Sequence, residues 1–150
     1  MSNIKLDKIF KTACIASDHA GFNLKEDIKN HLVNKKVSIF DIGPYTNKSV
    51  DYPDYAKRLG NRIKLKKSNV GILICGSGTG MAISANKIKT IRAAVCYNLK
   101  STRLSRQHNN ANIISLGARF TNKKLSLKLV KTFFETKFEG GRHLRRVRKI

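Results

Sequence analysis

One short stretch of this chain concentrates chemistry. Cys75 is followed at once by Gly76-Ser77-Gly78-Thr79-Gly80. Alternating glycines let backbone N–H groups come close to a ligand and aim at an anion, and a helix starting there adds its dipole. A thiol beside such a nest is favoured as thiolate, which makes it a candidate nucleophile or proton-abstracting base. The plainer alternative for any free cysteine is a small buried hydrophobe. Two nucleotide readings of the loop fail in detail. A Walker loop ends in Gly-Lys-Ser/Thr, and Gly80 is followed by Met81. The dinucleotide fingerprint needs a third glycine at that same position and an acid roughly 20 residues on, where Val95–Asn98 carries none. An oxyanion hole, or a nest for a smaller anion, fits better. The other cysteines, Cys14 and Cys96, share no Cys-x-x-Cys spacing with it, which argues against a disulfide framework and a zinc knuckle. Both read as core residues.

These groups need a scaffold. Apolar runs of about four to six residues, the length of a strand, occur at Ala13–Ala16, Val37–Ile42, Val70–Cys75, Ala93–Cys96 and Ile113–Leu116. Helical patterns lie between them. Phe22, Leu24, Ile28, His31 and Leu32 repeat near the 3.6 period, with Asp18 or Gly21 near the start. Tyr55, Leu59 and Ile63 follow Asp51-Tyr52-Pro53, and proline suits a first helical turn. Met81, Ile83, Ala85 and Ile88 follow the glycines, and Leu99–His108 and Leu125–Phe134 complete the set. Glu139-Gly140-Gly141 breaks the last long helix, and the basic tail reads as a short separate one. Strands alternating with helices predict βαβ units: a Rossmann-like, three-layer α/β/α domain with a five-stranded parallel sheet and right-handed crossovers. Ligands of open α/β sheets bind beyond the carboxyl ends of the strands. The residues there are Ser17-Asp18-His19-Ala20-Gly21, Asp41-Ile42-Gly43, the glycine loop, Cys96-Tyr97-Asn98 and Gly117-Ala118-Arg119. An acid, an imidazole, a thiol, a nest and an arginine on one edge form an active-site inventory.

Composition sets outer bounds. A chain of 150 residues suits one domain, with residues 1–11 as a short N-terminal extension. No apolar run approaches the roughly 18–20 residues of a membrane span, and the N-terminus has no long apolar core of a secretory signal. A cytoplasmic globular domain is expected. The formal charge of +22 suggests either a polyanion partner or the drift of an AT-rich genome, which the 21 Lys, 13 Asn and 15 Ile also fit. A basic nucleic-acid-binding protein is the non-enzymatic alternative. The basic residues are dispersed apart from the end of the chain. There is no zinc-finger spacing, no RNP-type motif and no Trp for stacking.

Six motifs in register carry a resemblance. They are Asp18-His19-Ala20-Gly21-Phe22, Asp51-Tyr52-Pro53, Ile74 through Gly80, Ala85-Asn86-Lys87, Ser105-Arg106-Gln107-His108-Asn109 and Glu139-Gly140-Gly141-Arg142-His143. Together they resemble the ribose-5-phosphate isomerase B family, shared with galactose-6-phosphate isomerase, over nearly the whole chain. The resemblance implies interconversion of ribose 5-phosphate and ribulose 5-phosphate in the pentose phosphate pathway, without metal or cofactor. Six-carbon sugar phosphates are the alternative substrates. It implies a homodimer with sites at the subunit interface, and leaves open whether two dimers pair. The family's base is a Cys in one branch and, in another, a Glu after the last loop glycine. That second position is Met81 here, so Cys75 is indicated. The ring-opening histidine falls on His108, and Ser77 supplies a hydroxyl beside the base. Ligand-binding positions fall on Asp18, His19, Gly76, Ser77, Gly78, Thr79, Gly80, Asn109, Arg119, Arg142 and Arg146. Blander readings stand beside these. Asp18 could cap a helix, or orient His108. His143 reads as a phosphate contact or a solvated helix face, His31 as surface or packing, and Tyr52 as a pocket wall or packing.

Overall fold

The computed structural model describes residues 10–150. The chain order is β1 (Thr12–Ser17), α1 (Phe22–Asn34), β2 (Ser38–Gly43), α2 (Tyr52–Lys64), β3 (Val70–Cys75), α3 (Thr79–Asn86), β4 (Ala93–Val95), α4 (Leu99–Asn109), β5 (Ile113–Gly117), α5 (Lys123–Glu135) and α6 (Arg142–Val147). The strands form one sheet in the order β2-β1-β3-β5-β4. Every pairing is parallel. This is the α/β architecture expected from the alternating pattern.

Side chains alternate across the sheet, and each face meets its own helices. Ala13, Ile15, Val70, Ile72, Ile74, Ile114 and Leu116 pack with Leu24, Ile28 and Leu32 of α1 and Leu129, Val130 and Phe133 of α5. Cys14, Ala16, Leu73, Cys75 and Ile113 pack with Ala56, Leu59 and Ile63 of α2 and Met81 and Ala85 of α3. Because β3 is covered on both faces, all six of its residues are buried, and its sequence Val-Gly-Ile-Leu-Ile-Cys is apolar without a break. Gly71 lets the Leu59 and Ile63 side chains of α2 lie directly on the strand, where a Cβ would displace their tips.

Helix starts follow local chemistry. Asn98 Oδ1 accepts from Ser101 N at 2.8 Å to cap α4, and Asn122 Oδ1 accepts from Leu125 N at 2.8 Å to cap α5. Pro53 stands in the first turn of α2.

Three expectations need correcting. The second strand begins at Ser38 rather than Val37 and is half exposed, because it is a sheet edge and not an interior strand. The fourth stops at Val95, one residue short of Cys96. Of the expected extension over residues 1–11, residues 1–9 lie outside the described residues. Phe10 belongs with the core: its ring meets Phe134 edge-on at 5.7 Å, and the Arg106 guanidinium lies 4.9 Å from its centroid.

A buried charge cluster ties α1 to β2. Lys25 Nζ is wholly buried and bonds both carboxylate oxygens of Asp41 at 2.8 Å and Glu26 Oε1 at 3.0 Å. Lys29 Nζ reaches Asp41 and Glu26 as well. Asp41 Oδ1 also accepts from Gly43 N at 2.8 Å. Burial alone would raise the Asp41 pKa, but the bonds from Lys25, Lys29 and Gly43 N–H outweigh it and hold the carboxyl below its ordinary value. Asp41, which lies inside β2 and not beyond its end, is therefore a structural anion. Its stabilisation is complete above the ordinary carboxylate pKa of about 4 and is lost as pH falls through the lower folded value. Asp41→Asn is expected to cost about 3 kcal/mol at neutral pH, because it leaves the buried Lys25 ammonium with only the more exposed Glu26 as a charged partner. Lys25→Met is expected to cost less, since it removes the buried charge itself. Urea unfolding of the two variants at pH 7 checks the order.

Candidate active site

The strand order reverses direction between β1 and β3, and the crevice at their carboxyl ends is the topological switch point of this sheet. Asp18 and Cys75 stand on either side of it. Asp18 N donates to Ile74 O at 3.1 Å, and Asp18 Oδ1 accepts from Gly21 N at 3.0 Å, which turns the chain into α1. Gly21 lets this turn lie flush on β3, since a Cβ would stand 2.5 Å from Ile74 O. His19 follows, and its Nδ1 accepts from Val50 N at 3.3 Å, leaving Nε2 as the donor.

The glycine loop is held by its neighbours. Ala118 N donates to Cys75 O at 2.8 Å, and Arg119 N donates to Gly76 O at 3.0 Å. The Arg119 guanidinium covers Gly76, where a Cβ would meet its Nη1 at 3.0 Å. Gly78 has φ +81° and starts α3. Its backbone is pressed against Leu116, so both the conformation and the space require glycine. Ser115 Oγ donates to Gly78 O at 2.6 Å, and Gly117 lies against Ser77 O with no room for a side chain.

Two amides of the nest aim at side chains. Gly78 N donates to Cys75 Sγ at 3.1 Å, and Thr79 N donates to Ser77 Oγ at 3.2 Å. The Cys75 side chain is only slightly exposed. The Tyr52 ring rests on Gly80, and a Cβ there would lie 2.7 Å from it. Met81 is fully buried in the core beneath α3, so the position that bears an acid in another branch is packing here. One edge thus brings together Asp18, His19, Cys75, Gly76, Ser77, Gly78, Thr79, Gly80 and Arg119.

His108, Asn109, Arg142 and Arg146 lie at the other end. Helix α4 leaves the carboxyl edge at Asn98, and its 11 residues carry the chain back by about 16 Å. At its far end Arg92 Nε, beside the start of β4, donates to Asn109 O and Asn110 O, both at 3.1 Å. Asn112 N donates to Arg92 O at 3.0 Å just before β5 begins. These are amino-end positions of the sheet. Glu139 N donates to Gln107 O at 3.1 Å, which docks the double-glycine loop and α6 onto this end of α4. Within one chain, Asp18 therefore does not orient His108.

His143 is neither a solvated residue nor free. It is buried, its ring stacks on His108 with centroids 4.2 Å apart and planes 10° apart, and its Nε2 lies 3.5 Å from Glu139 Oε2. Burial, then the nearby His108 and the Arg142 and Arg146 charges, push its pKa below the ordinary histidine value against the opposing pull of Glu139. Arg142 and Arg146 stay exposed on α6. Among the described residues, His108, Glu139 and His143 are the group whose donor atoms, within 4.8 Å of one another, are of the type that holds a metal. Each imidazole lone pair lies in its own ring plane. Two planes only 10° apart do not meet within bonding reach of the rings, so one ion cannot lie in both ring planes until one ring turns out of the stack.

Sequence reasoning placed Tyr97 on the ligand-binding edge but gave it no role; its hydroxyl donates to Ser77 O. Lys25 was passed over altogether. His31, read as surface or packing, lines a separate cavity of about 210 Å³ with Leu32, Val37, Val130 and Phe134, away from all these groups.

The sequence matches the model of the ribose/galactose isomerase family over residues 13–150. It is 46% identical over 136 residues to a putative sugar phosphate isomerase of Rickettsia bellii, covering 91% of this chain and 94% of that one. A ribose 5-phosphate isomerase structure from Thermotoga maritima superposes with a TM-score of 0.91 at 49% identity, covering 92% of this chain and 95% of that one. The ribose-5-phosphate isomerase B of Mycoplasma genitalium, solved with bound ribulose-5-phosphate, superposes with a TM-score of 0.88 at 42% identity, covering 92% of each chain.

Proposed function

This chain belongs to the ribose/galactose isomerase family, and on that premise we propose that it interconverts ribose 5-phosphate and ribulose 5-phosphate through an enediolate with Cys75 as base. The observation that carries the assignment is the Cys75 sulfur, bonded by the Gly78 N–H at 3.1 Å in the switch-point crevice. That N–H fixes the sulfur at the mouth of the crevice, where it can reach a carbon-bound proton of a substrate held there.

The reaction needs a proton moved from C2 to C1 of the open-chain sugar, while the hydroxyl proton moves from O2 to O1. Cys75 takes the C2 proton and returns it to C1. As the C2–H bond breaks, negative charge develops on the oxygen at C1. Ser77 Oγ, itself accepting from Thr79 N, is the nearby hydroxyl for that oxygen or for relaying the O2 proton. Asp18 and the Nε2–H of His19 are suited to sugar hydroxyls, and Arg119 to an anionic group.

The furanose must open before this chemistry, which requires a proton to pass from the anomeric hydroxyl to the ring oxygen. An imidazole suits that transfer at neutral pH, and His108 is the candidate. His108 and Asn109 end α4, whose 11 residues carry the chain about 16 Å away from the carboxyl edge, and α6 with Arg142 and Arg146 docks at that far end. We therefore propose a homodimer in which each chain lends this end to the other's thiol edge. Arg142 and Arg146, one helical turn apart, would grip the phosphate with forked guanidinium bonds. Among the described residues no helix is long and apolar enough to cross a membrane.

The test is an isomerase assay of the purified chain with ribose 5-phosphate in the presence of EDTA. Formation of ribulose 5-phosphate is the expected result. No turnover of the pentose phosphate, with turnover of a six-carbon aldose 6-phosphate instead, would overturn the pentose assignment and keep the chemistry.

A further inference from the structure

Tyr97 lies two residues beyond the end of β4, and its hydroxyl donates to the carbonyl oxygen of Ser77. That carbonyl and the Gly78 N–H belong to one peptide group. The same N–H donates to Cys75 Sγ at 3.1 Å. Tyr97, the Ser77–Gly78 peptide and the Cys75 sulfur thus form a chain of donors and acceptors in series.

A bond received at the carbonyl draws electron density toward oxygen and makes the N–H of that amide a better donor. It also fixes the plane of the peptide. Gly117 presses on the same carbonyl from the β5 side, and Ser115 Oγ holds the next one at Gly78 O. Two parts of the fold, β5 and the β4–α4 connection, therefore converge on this short segment. The Tyr97 ring is braced by an edge-on contact with Phe120 at 5.8 Å, although both side chains are solvent-exposed.

We propose that Tyr97 is a positioning residue for Cys75: its hydroxyl orients and polarises the Ser77–Gly78 peptide so that the Gly78 N–H stabilises the thiolate. The kinetic consequence rests on Cys75 being the base, as argued above. The effect on the sulfur does not.

The experiment compares the full-length native chain with Tyr97→Phe, which keeps the ring and removes the hydroxyl. The rate of iodoacetamide alkylation of Cys75 at a fixed neutral pH is followed by peptide mass spectrometry, alongside kcat and KM. Losing the donor is expected to slow alkylation about threefold to tenfold and to lower kcat by a similar factor, with KM within about twofold. A merely structural role predicts the opposite sign, since a loosened loop exposes the thiol and alkylation accelerates. Unchanged or faster alkylation would overturn the proposal. Phe120→Leu provides the second variant, because it removes the brace and keeps the hydroxyl. It is expected to alkylate within about twofold of native, and a loss as large as that of Tyr97→Phe would assign the effect to packing and overturn the proposal. Alkylation is read whether or not the chain isomerises ribose 5-phosphate, so failure of the activity assignment and failure of the Tyr97 assignment remain distinct.

Discussion

Cys75→Ala is expected to lose isomerase activity by about a thousandfold, with the fold intact. A positioned base contributes on the order of 10²–10⁴ in rate, and no other thiol can substitute, because Cys14 and Cys96 are fully buried. The fold should survive. Alanine removes one sulfur from a site already walled by β1 and α2 residues, and it leaves the Gly78 N–H without its acceptor. That loss is worth about 1–3 kcal/mol, which thermal unfolding would register as a modest drop. Cys75→Ser should be nearly as inactive, because a hydroxyl at this position ionises far less readily than a thiol. Activity undiminished in a folded Cys75→Ala would remove Cys75 as base while leaving the isomerase assignment standing.

Mixing two inactive variants is expected to restore activity. Cys75→Ala keeps an intact His108 end, and His108→Ala keeps an intact thiol edge. If each site draws on both chains, a mixed dimer contains one site with both groups intact and one with neither. Random reassortment of an equal mixture makes half the dimers mixed, so about a quarter of native activity should return in a two-fold symmetric dimer. If His108 acted on its own chain's thiol edge, no combination would hold a complete site. Activity before and after denaturation and joint refolding of the variants separates these cases. The prediction follows from the direction of α4, which runs from the carboxyl edge at Asn98 to the amino edge at Asn109.

The sheet was legible because its central strand is buried on both faces. Val70–Cys75 reads as an uninterrupted apolar run for that reason, and the glycine loop after it announces a backbone that must approach something closely. Edges were less legible. Val37–Ile42 looks like an interior strand, yet β2 is an edge whose side chains are partly solvated, and strand order cannot be read from hydropathy. Lys25 was illegible for a different reason. A lysine in an amphipathic helix reads as solvent-facing, and what buries it, Asp41, is 16 positions away on another element. The thiol edge of the site could be listed from strand ends alone. Its relation to His108 could not, because motif order says nothing about which end of the sheet a helix terminus reaches. His143 shows the same limit: its neighbours in sequence are Arg142 and Leu144, while the ring it stacks on is that of His108, 35 positions away.

The burial of the three cysteines also decides where oxidative damage falls. Burial pushes the Cys14 thiol up to about 11, and it raises Cys96 as well, so both stay protonated and out of reach of peroxide. Cys75 alone retains a slight opening to solvent. The sheet register sets Cys14 opposite Gly71, four residues back from Cys75, and β5 lies between Cys75 and Cys96, so neither is placed to trap a sulfenic acid at Cys75 as an intramolecular disulfide. Oxidation at Cys75 would either be reversed by a small thiol from solution or proceed to the irreversible sulfinic state. With Cys75 as the proposed base, oxidant exposure is then expected to silence the isomerase one site at a time.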